Sequence, residues 1–131
     1  MFVDASAWTA ILANEPERDA FTFKLLSAPA IFTSPLANWE TARAVARLLD
    51  GDFAEIATWI RDYQNDVGAR TVTIGDLEQV AAFEAHVRFG KGRHPASLNM
   101  GDCFAYACAR TNGVPLLFKG GDFALTDIEP A

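Results

Sequence analysis

Residues 98–122 read Leu98-Asn99-Met100-Gly101-Asp102-Cys103-Phe104-Ala105-Tyr106-Ala107-Cys108-Ala109-Arg110-Thr111-Asn112-Gly113-Val114-Pro115-Leu116-Leu117-Phe118-Lys119-Gly120-Gly121-Asp122. The spacing predicts a helix over 99–112 that stops at Gly113, a residue suited to a helix C-terminus. Val114 to Phe118 is then a short apolar run without alternation, the pattern of a strand buried on both faces. The Gly120-Gly121 pair turns the chain immediately afterwards. A helix that feeds a parallel strand runs back across the sheet, so its N-terminus lies at the strand's carboxyl edge. Asp102, in the first turn of the helix, and Asp122, just past the strand, are therefore expected at one edge. That edge is where open α/β sheets bind ligands.

The same grammar extends outward. Met1 to Asp4 is an apolar run ending on an acid and reads as a strand, with a helix from Ala5 to Asn14. Pro16 suits the first turn of a second helix to about Ser27. Ala30 to Thr33 is a second strand, and Ser34-Pro35 supplies the N-cap and first residue of a long helix to Leu49. Asp52 caps a helix to Val67, stopped by Gly68. Thr71 to Ile74 is a β-branched strand, Asp76 starts a helix to Phe89, and Gly90 to Ser97 is a loop. Thr126 to Ile128 is expected as a short edge strand. Short apolar strands alternating with helices imply an α/β fold whose parallel sheet is covered on both faces.

At 131 residues the chain is the size of one domain and buries roughly two-thirds of its unfolded surface, enough to fold without disulfides or structural metal. Alanine supplies 23 residues, which favours helix. The formal net charge of −6 excludes nucleic-acid binding by bulk charge, which needs a basic protein. Cys103 and Cys108 would lie about 140° apart around a helix, so they neither pair nor make a zinc site. They read as small core residues in a reducing cytoplasm. No run approaches the ~18 apolar residues of a membrane span, and Met1-Phe2-Val3-Asp4 has no signal-peptide character.

Asp4 ends the first strand, and Glu40 sits about two turns into the helix after the second, so both join Asp102 and Asp122 near the carboxyl edge. Each acid also has a plain structural role. Asp4 can cap a helix, Glu40 can pair with Arg43, Asp102 stands three after Asn99 as in a capping box, and Asp122 suits a turn. Together they carry an electrostatic problem. Two carboxylates ~5 Å apart repel by about 3 kcal/mol at an effective dielectric of ~20, so a cluster needs protons or a cation. A set of hard oxygens without His or Cys favours Mg2+ or Mn2+. Such a site suits displacement at a phosphodiester.

Val3-Asp4-Ala5-Ser6-Ala7, Trp39-Glu40-Thr41, the block from Leu98 to Ala107, and Phe118 to Ile128 resemble a PIN domain of the VapC type, the toxins of bacterial toxin–antitoxin pairs. The resemblance spans the whole chain and includes Phe89 to Pro95. It implies a single PIN domain over 1–131, a three-layer α/β/α sandwich on a parallel sheet of four to five strands. It also implies Mg2+-dependent endoribonuclease activity, with Asp4, Glu40, Asp102 and Asp122 as catalytic metal ligands and Ser6 and Asn99 in support. Ser6 would orient Asp4 or a water at the metal. Gly121 departs from the pattern, since relatives often carry an acidic or amide residue there, and this bears on a second metal position. A cognate VapB-type antitoxin and a homodimer are implied partners, with no membrane.

Arg88, Lys91 and Arg93 form a basic cluster beside His94 and are expected to grip RNA phosphates, with Lys119 as a further candidate or a salt-bridge partner. His94 before Pro95 is a candidate catalytic acid, though a lone His is more often structural. Phe21, Phe23, Phe53, Trp59 and Tyr63 are expected mostly in the core, some on an interface. The competing reading is aspartyl-phosphate chemistry. A phosphatase of that kind needs Asp-x-Asp where the chain has Asp4-Ala5-Ser6, and a receiver needs its acceptor at the third strand's end, where Asp76 stands one Gly beyond Ile74.

Overall fold

A computed structural model describes residues 1–131. The elements are β1 (Phe2–Val3), α1 (Ala5–Leu12), α2 (Arg18–Ser27), β2 (Ile31–Thr33), α3 (Pro35–Leu49), α4 (Phe53–Asp66), β3 (Ala69–Thr71), α5 (Asp76–Phe89), α6 (Met100–Thr111), β4 (Leu116–Leu117) and a 3-10 turn at Phe123–Leu125. All pairings are parallel, and the strand order is β3-β2-β1-β4. The chain steps outward from β1 through β2 to β3, then crosses back to place β4 on the other side of β1. The reversal between β1 and β4 is the switch point at which doubly wound sheets open a crevice.

Successive residues of a strand face opposite sides, and the core divides accordingly. Phe2 and Leu116 join α5 and α6 through Ala82, Ala85, Phe89, Leu98 and Tyr106. Val3 and Leu117 join the other layer, where Trp8 and Ile11 of α1, Leu25 of α2, Val45 of α3 and Ile60 of α4 meet. The three-layer α/β/α architecture follows.

A buried polar chain fixes the third helix. Trp8 Nε1 donates to Thr33 Oγ1 at 3.2 Å, Thr33 Oγ1 donates to Asn38 Oδ1 at 2.7 Å, and Gln64 Nε2 donates to the same oxygen at 2.9 Å. Gln64 is buried. With Ser34 capping the backbone N–H of Ala37, this network pins the start of α3 to β2 and to α4. Glu40 lies two residues beyond Asn38 and takes its place from that anchor.

Several expectations need correction. The third strand is Ala69–Thr71 rather than 71–74. Gly68, at φ +72°, turns α4 straight into the strand, and Val72 and Ile74 leave it to pack against the α5–α6 layer. Thr126 to Ile128 is not a strand. Asp127 is drawn away to Arg88 and Arg110, and the strand-like contacts fall later, where Leu116 bonds to Glu129 and Ala131. Pro130 between them has no N–H to extend a ladder. The sheet thus has four strands. The second helix begins at Arg18, two residues after Pro16. Phe23, Phe53 and Trp59 are exposed, while Phe21 and Tyr63 pack against the core. Cys103 and Cys108 are free and buried, as expected. No helix is long and apolar enough to cross a membrane.

Candidate active site

Asp4 ends β1, is buried, and caps α1. Its Oδ2 accepts from the Ser6 N–H at 2.9 Å and from the Ser6 hydroxyl at 2.5 Å. The Ser6 hydroxyl oxygen in turn accepts from the Lys119 N–H at 3.0 Å, which ties Asp4 to the loop after β4. Asp102 forms a reciprocal capping box with Asn99. Asn99 N–H donates to Asp102 Oδ2 at 2.8 Å, and Asp102 N–H donates to Asn99 Oδ1 at 3.1 Å. The structural and chemical readings of both acids are therefore compatible. One oxygen of each carboxylate caps a helix, and the other makes no hydrogen bond within the chain.

Asp4, Glu40 and Asp102 line one cleft of about 410 Å³ with Ser6, Asn99 and Lys119. Burial pushes all three carboxyls above their ordinary range. Glu40 rises to about 7, first through burial and then through the charges of Asp4 and Asp102. Asp102 rises to about 6 through burial and the charges of Asp4 and Asp122, against the Asn99 hydrogen bond that lowers it. Asp4 is raised by burial despite the Ser6 bonds. Asp122 is exposed, at the start of the 3-10 turn. It stands outside the cleft lining, yet its charge reaches Asp102. No three of these acids form a ready coordination shell.

Charge and donor chemistry nevertheless fit a hard divalent cation. Several carboxylates repel in a partly buried cleft, the two innermost each keep a free oxygen, and all donors are oxygen. Asp4, Asp102 and Glu40 would hold the ion, with Asp122 at the rim.

Gly101 is the residue that sequence reasoning missed. A Cβ added there would fall far inside contact distance of the Glu40 carboxylate. The glycine lets α3 and α6 approach so that Glu40 lies against the first turn of α6. Its only signal in the sequence is a glycine directly before Asp102.

The basic candidates separate. Arg88 donates to Asp127 Oδ2 at 2.8 Å, in a network where Tyr106 donates to Asp127 Oδ1 at 2.6 Å and Arg110 to the Tyr106 oxygen at 2.7 Å. Lys119 reaches the cleft but pairs with Glu15 at 2.8 Å and Glu17 at 3.0 Å, not with Asp122. Lys91 and Arg93 are exposed and ion-pair with nothing. His94 Nδ1 accepts from the Ala96 N–H at 3.1 Å, and its ring stands edge-on to Phe89, so it shapes the loop. Asp76 is exposed at the start of α5, five residues past β3, and lines no part of the cleft. This removes the one feature that pointed to a receiver.

The PIN domain family profile matches residues 1–129. Ribonuclease VapC of Mycolicibacterium smegmatis is 37% identical over 129 residues, covering 98% of this chain and 97% of the relative. Ribonuclease VapC30 of Mycobacterium tuberculosis is 38% identical over 129 residues, covering 98% and 95%. The crystal structure of VapC20 from M. tuberculosis, a toxin that cleaves the sarcin–ricin loop, superposes with a TM-score of 0.76 at 22% identity, covering 99% of this chain and 97% of that one. The sheet order, the acidic crevice at its switch point and these likenesses lead to one assignment: the chain belongs to the PIN-domain family of VapC ribonucleases.

Proposed function

We propose that residues 1–131 act as one domain, a divalent-metal-dependent endoribonuclease that is the toxin of a toxin–antitoxin pair in the cytoplasm. The observation that carries this reading is the cleft that Asp4 and Asp102, each with one oxygen committed to a helix cap and the other free of hydrogen bonds, line together with Glu40. Asp4, Asp102 and Glu40 would hold Mg2+ (or Mn2+), whose chemistry there would be activation of water and stabilisation of charge on the leaving oxygen.

The chain's own residues do the rest. Ser6 holds the Asp4 carboxylate and the Lys119 backbone in one arrangement. Asn99 fixes the rotamer of Asp102. Asp122 adds negative charge at the open side. Lys91 and Arg93 bind phosphates flanking the cleft; Lys119, paired with Glu15 and Glu17, lines the cleft, while Arg88, paired with Asp127, lies outside its lining. The relatives' names as ribonucleases support RNA as substrate over aspartyl-phosphate chemistry.

Two partners fit two different surfaces, the acidic cleft and the apolar face of α5. Removing the four site charges would take the net charge from −6 to −2, so a small basic antitoxin of the VapB type is attracted to the cleft, placing an Arg or Lys where the cation would lie. A second copy of the chain covers α5, whose Leu77, Val80, Phe83 and Val87 are 55–74% exposed, with Met100 of α6 beyond them at 66%.

The test is incubation of purified protein with RNA in Mg2+ and in chelator. Cleavage in Mg2+ alone supports the reading, and its absence refutes it. The double substitution Lys91→Ala/Arg93→Ala is expected to flatten the salt dependence of RNA binding by about 1.4 units of slope.

A further inference from the structure

Most of the chain's cations answer to a partner within it. Arg18, Lys24, Arg61, Arg88, Arg110 and Lys119, six of the eleven, hydrogen-bond or ion-pair with named groups. Arg43 and Arg47 ion-pair with nothing, although both are exposed and lie one turn apart on α3. Arg47 lines the acidic cleft directly, and both arginines border a shallow depression that Glu40 also lines. Two unpaired guanidinium groups thus stand against the wall of the acids. A guanidinium offers a planar fork that matches phosphate oxygens.

One turn earlier, Trp39 is 51% exposed, and the Arg43 guanidinium lies 4.9 Å from its ring centroid. The same indole borders a second cavity of about 360 Å³, where Gln64 and Asn65 also line the wall. That volume is in the range of small-molecule sites. An exposed Trp beside unpaired arginines is the combination by which proteins hold single strands. Aromatic rings stack bases, and cations follow the backbone. An acidic peptide would satisfy the arginines but would leave the indole without a role.

We propose that Trp39, Arg43 and Arg47 form a single-stranded RNA subsite on the α3 wall of the cleft, the arginines binding phosphates next to the one cleaved and the indole stacking an unpaired base. The subsite rests on the nuclease reading above and adds the path of the substrate. RNA runs from the Lys91–Arg93 loop, over the acids, and onto α3.

The test is fluorescence anisotropy of a short labelled oligoadenylate across a salt series, with Ca2+ replacing Mg2+ to slow cleavage. Arg43→Ala/Arg47→Ala is expected to flatten the slope of log affinity against log salt by about 1.4. Trp39→Ala is expected to weaken binding about tenfold with the slope unchanged. Oligoadenylate should quench tryptophan emission in the wild type, and Trp39→Phe should remove that quenching. Melting curves of the variants, expected to match the wild type, exclude unfolding as the cause. A wild-type slope in the double arginine variant, intact quenching in Trp39→Phe, or stronger competition by polyglutamate than by RNA would overturn the subsite. The failures separate. A wild-type protein that cleaves RNA while the arginine variant keeps the full slope overturns the subsite alone, whereas a wild type that neither cleaves nor binds RNA overturns both.

Discussion

In the proposed site Asp4 and Asp102 would each do two jobs, and the division is by oxygen atom. Oδ2 caps a helix and Oδ1 is free. The caps hold the carboxylates rigid, which a metal site needs, because mobile ligands must be ordered at the cost of binding. Gly101 shows the same economy from the other side. Gly101→Ala adds a methyl whose nearest neighbours are the end of the Glu40 side chain, and Ala is the better helix former. The variant should melt within a few degrees of wild type while cleavage falls on the order of a hundredfold, the usual cost of a displaced catalytic group. A melting curve and a cleavage rate on the same sample check this, and an unchanged rate would mean that Glu40 does not act from its present position. The juxtaposition of Asp4, Glu40 and Asp102 was legible, because each is placed by its distance from a strand end or a helix start, whereas Asp122 lies outside the cleft lining. Gly101 was not, because its contact joins residues that are remote in sequence. Arg43 and Arg47 were equally hidden. At i+3 from Glu40, Arg43 reads as a salt-bridge partner; its charge does act on Glu40, but it forms no close ion pair there, and only the fold shows its guanidinium over Trp39.

At the scale of elements, the helices were readable from caps and stops, and the strands less so. Ser34, Asp52 and Asn99 each cap the helix expected of them. The third strand slipped toward the N-terminus because β-branched residues mark a buried apolar path, and here that path continues past the sheet into the α5–α6 layer. The expected C-terminal strand failed for an electrostatic reason. Asp127 joins Tyr106, Arg88 and Arg110 in a network that binds the segment after Asp122 to α5 and α6. Those bonds hold its carboxyl down at about 2. A carboxyl lowered on folding contributes stability above its unfolded pKa, and loses it as pH falls through the folded value. Asp127→Asn should therefore lower the melting temperature at neutral pH by a few degrees at most, since the pair is solvent-screened. The difference from wild type should shrink between about pH 4 and pH 2. A difference that stays constant over that range would place the effect in packing rather than charge.

For the whole molecule, a net charge of −6 and an anionic substrate are reconciled by concentrating charge locally. Acids gather at the switch point, and Arg47, which forms no ion pair, lines the same cleft. The same concentration makes folding sensitive to pH. Glu40 and Asp102, with pKa values raised to about 7 and about 6, bind more protons folded than unfolded between roughly pH 4 and 7. Without divalent cations, the contribution of these two groups to stability should thus be greatest at the low end of that window and be lost as pH rises through it. Excess Mg2+ should raise the melting temperature most at the upper end, because a ligand that binds only the folded state stabilises it by mass action. Melting curves from pH 4 to 8 with Mg2+ and with chelator test this, and parallel curves would show that the cleft acids bind no cation.

The central claim, that this acidic cleft cleaves RNA with a divalent cation, is tested most directly by Asp4→Asn measured in two ways on one preparation. The amide keeps an acceptor for Ser6 and removes one charge from a repelling cluster. Cleavage in Mg2+ should drop about a thousandfold, the equivalent of several kcal/mol of lost transition-state stabilisation. The melting temperature in chelator should hold or rise. Cleavage at the wild-type rate by a folded Asp4→Asn protein would contradict the account.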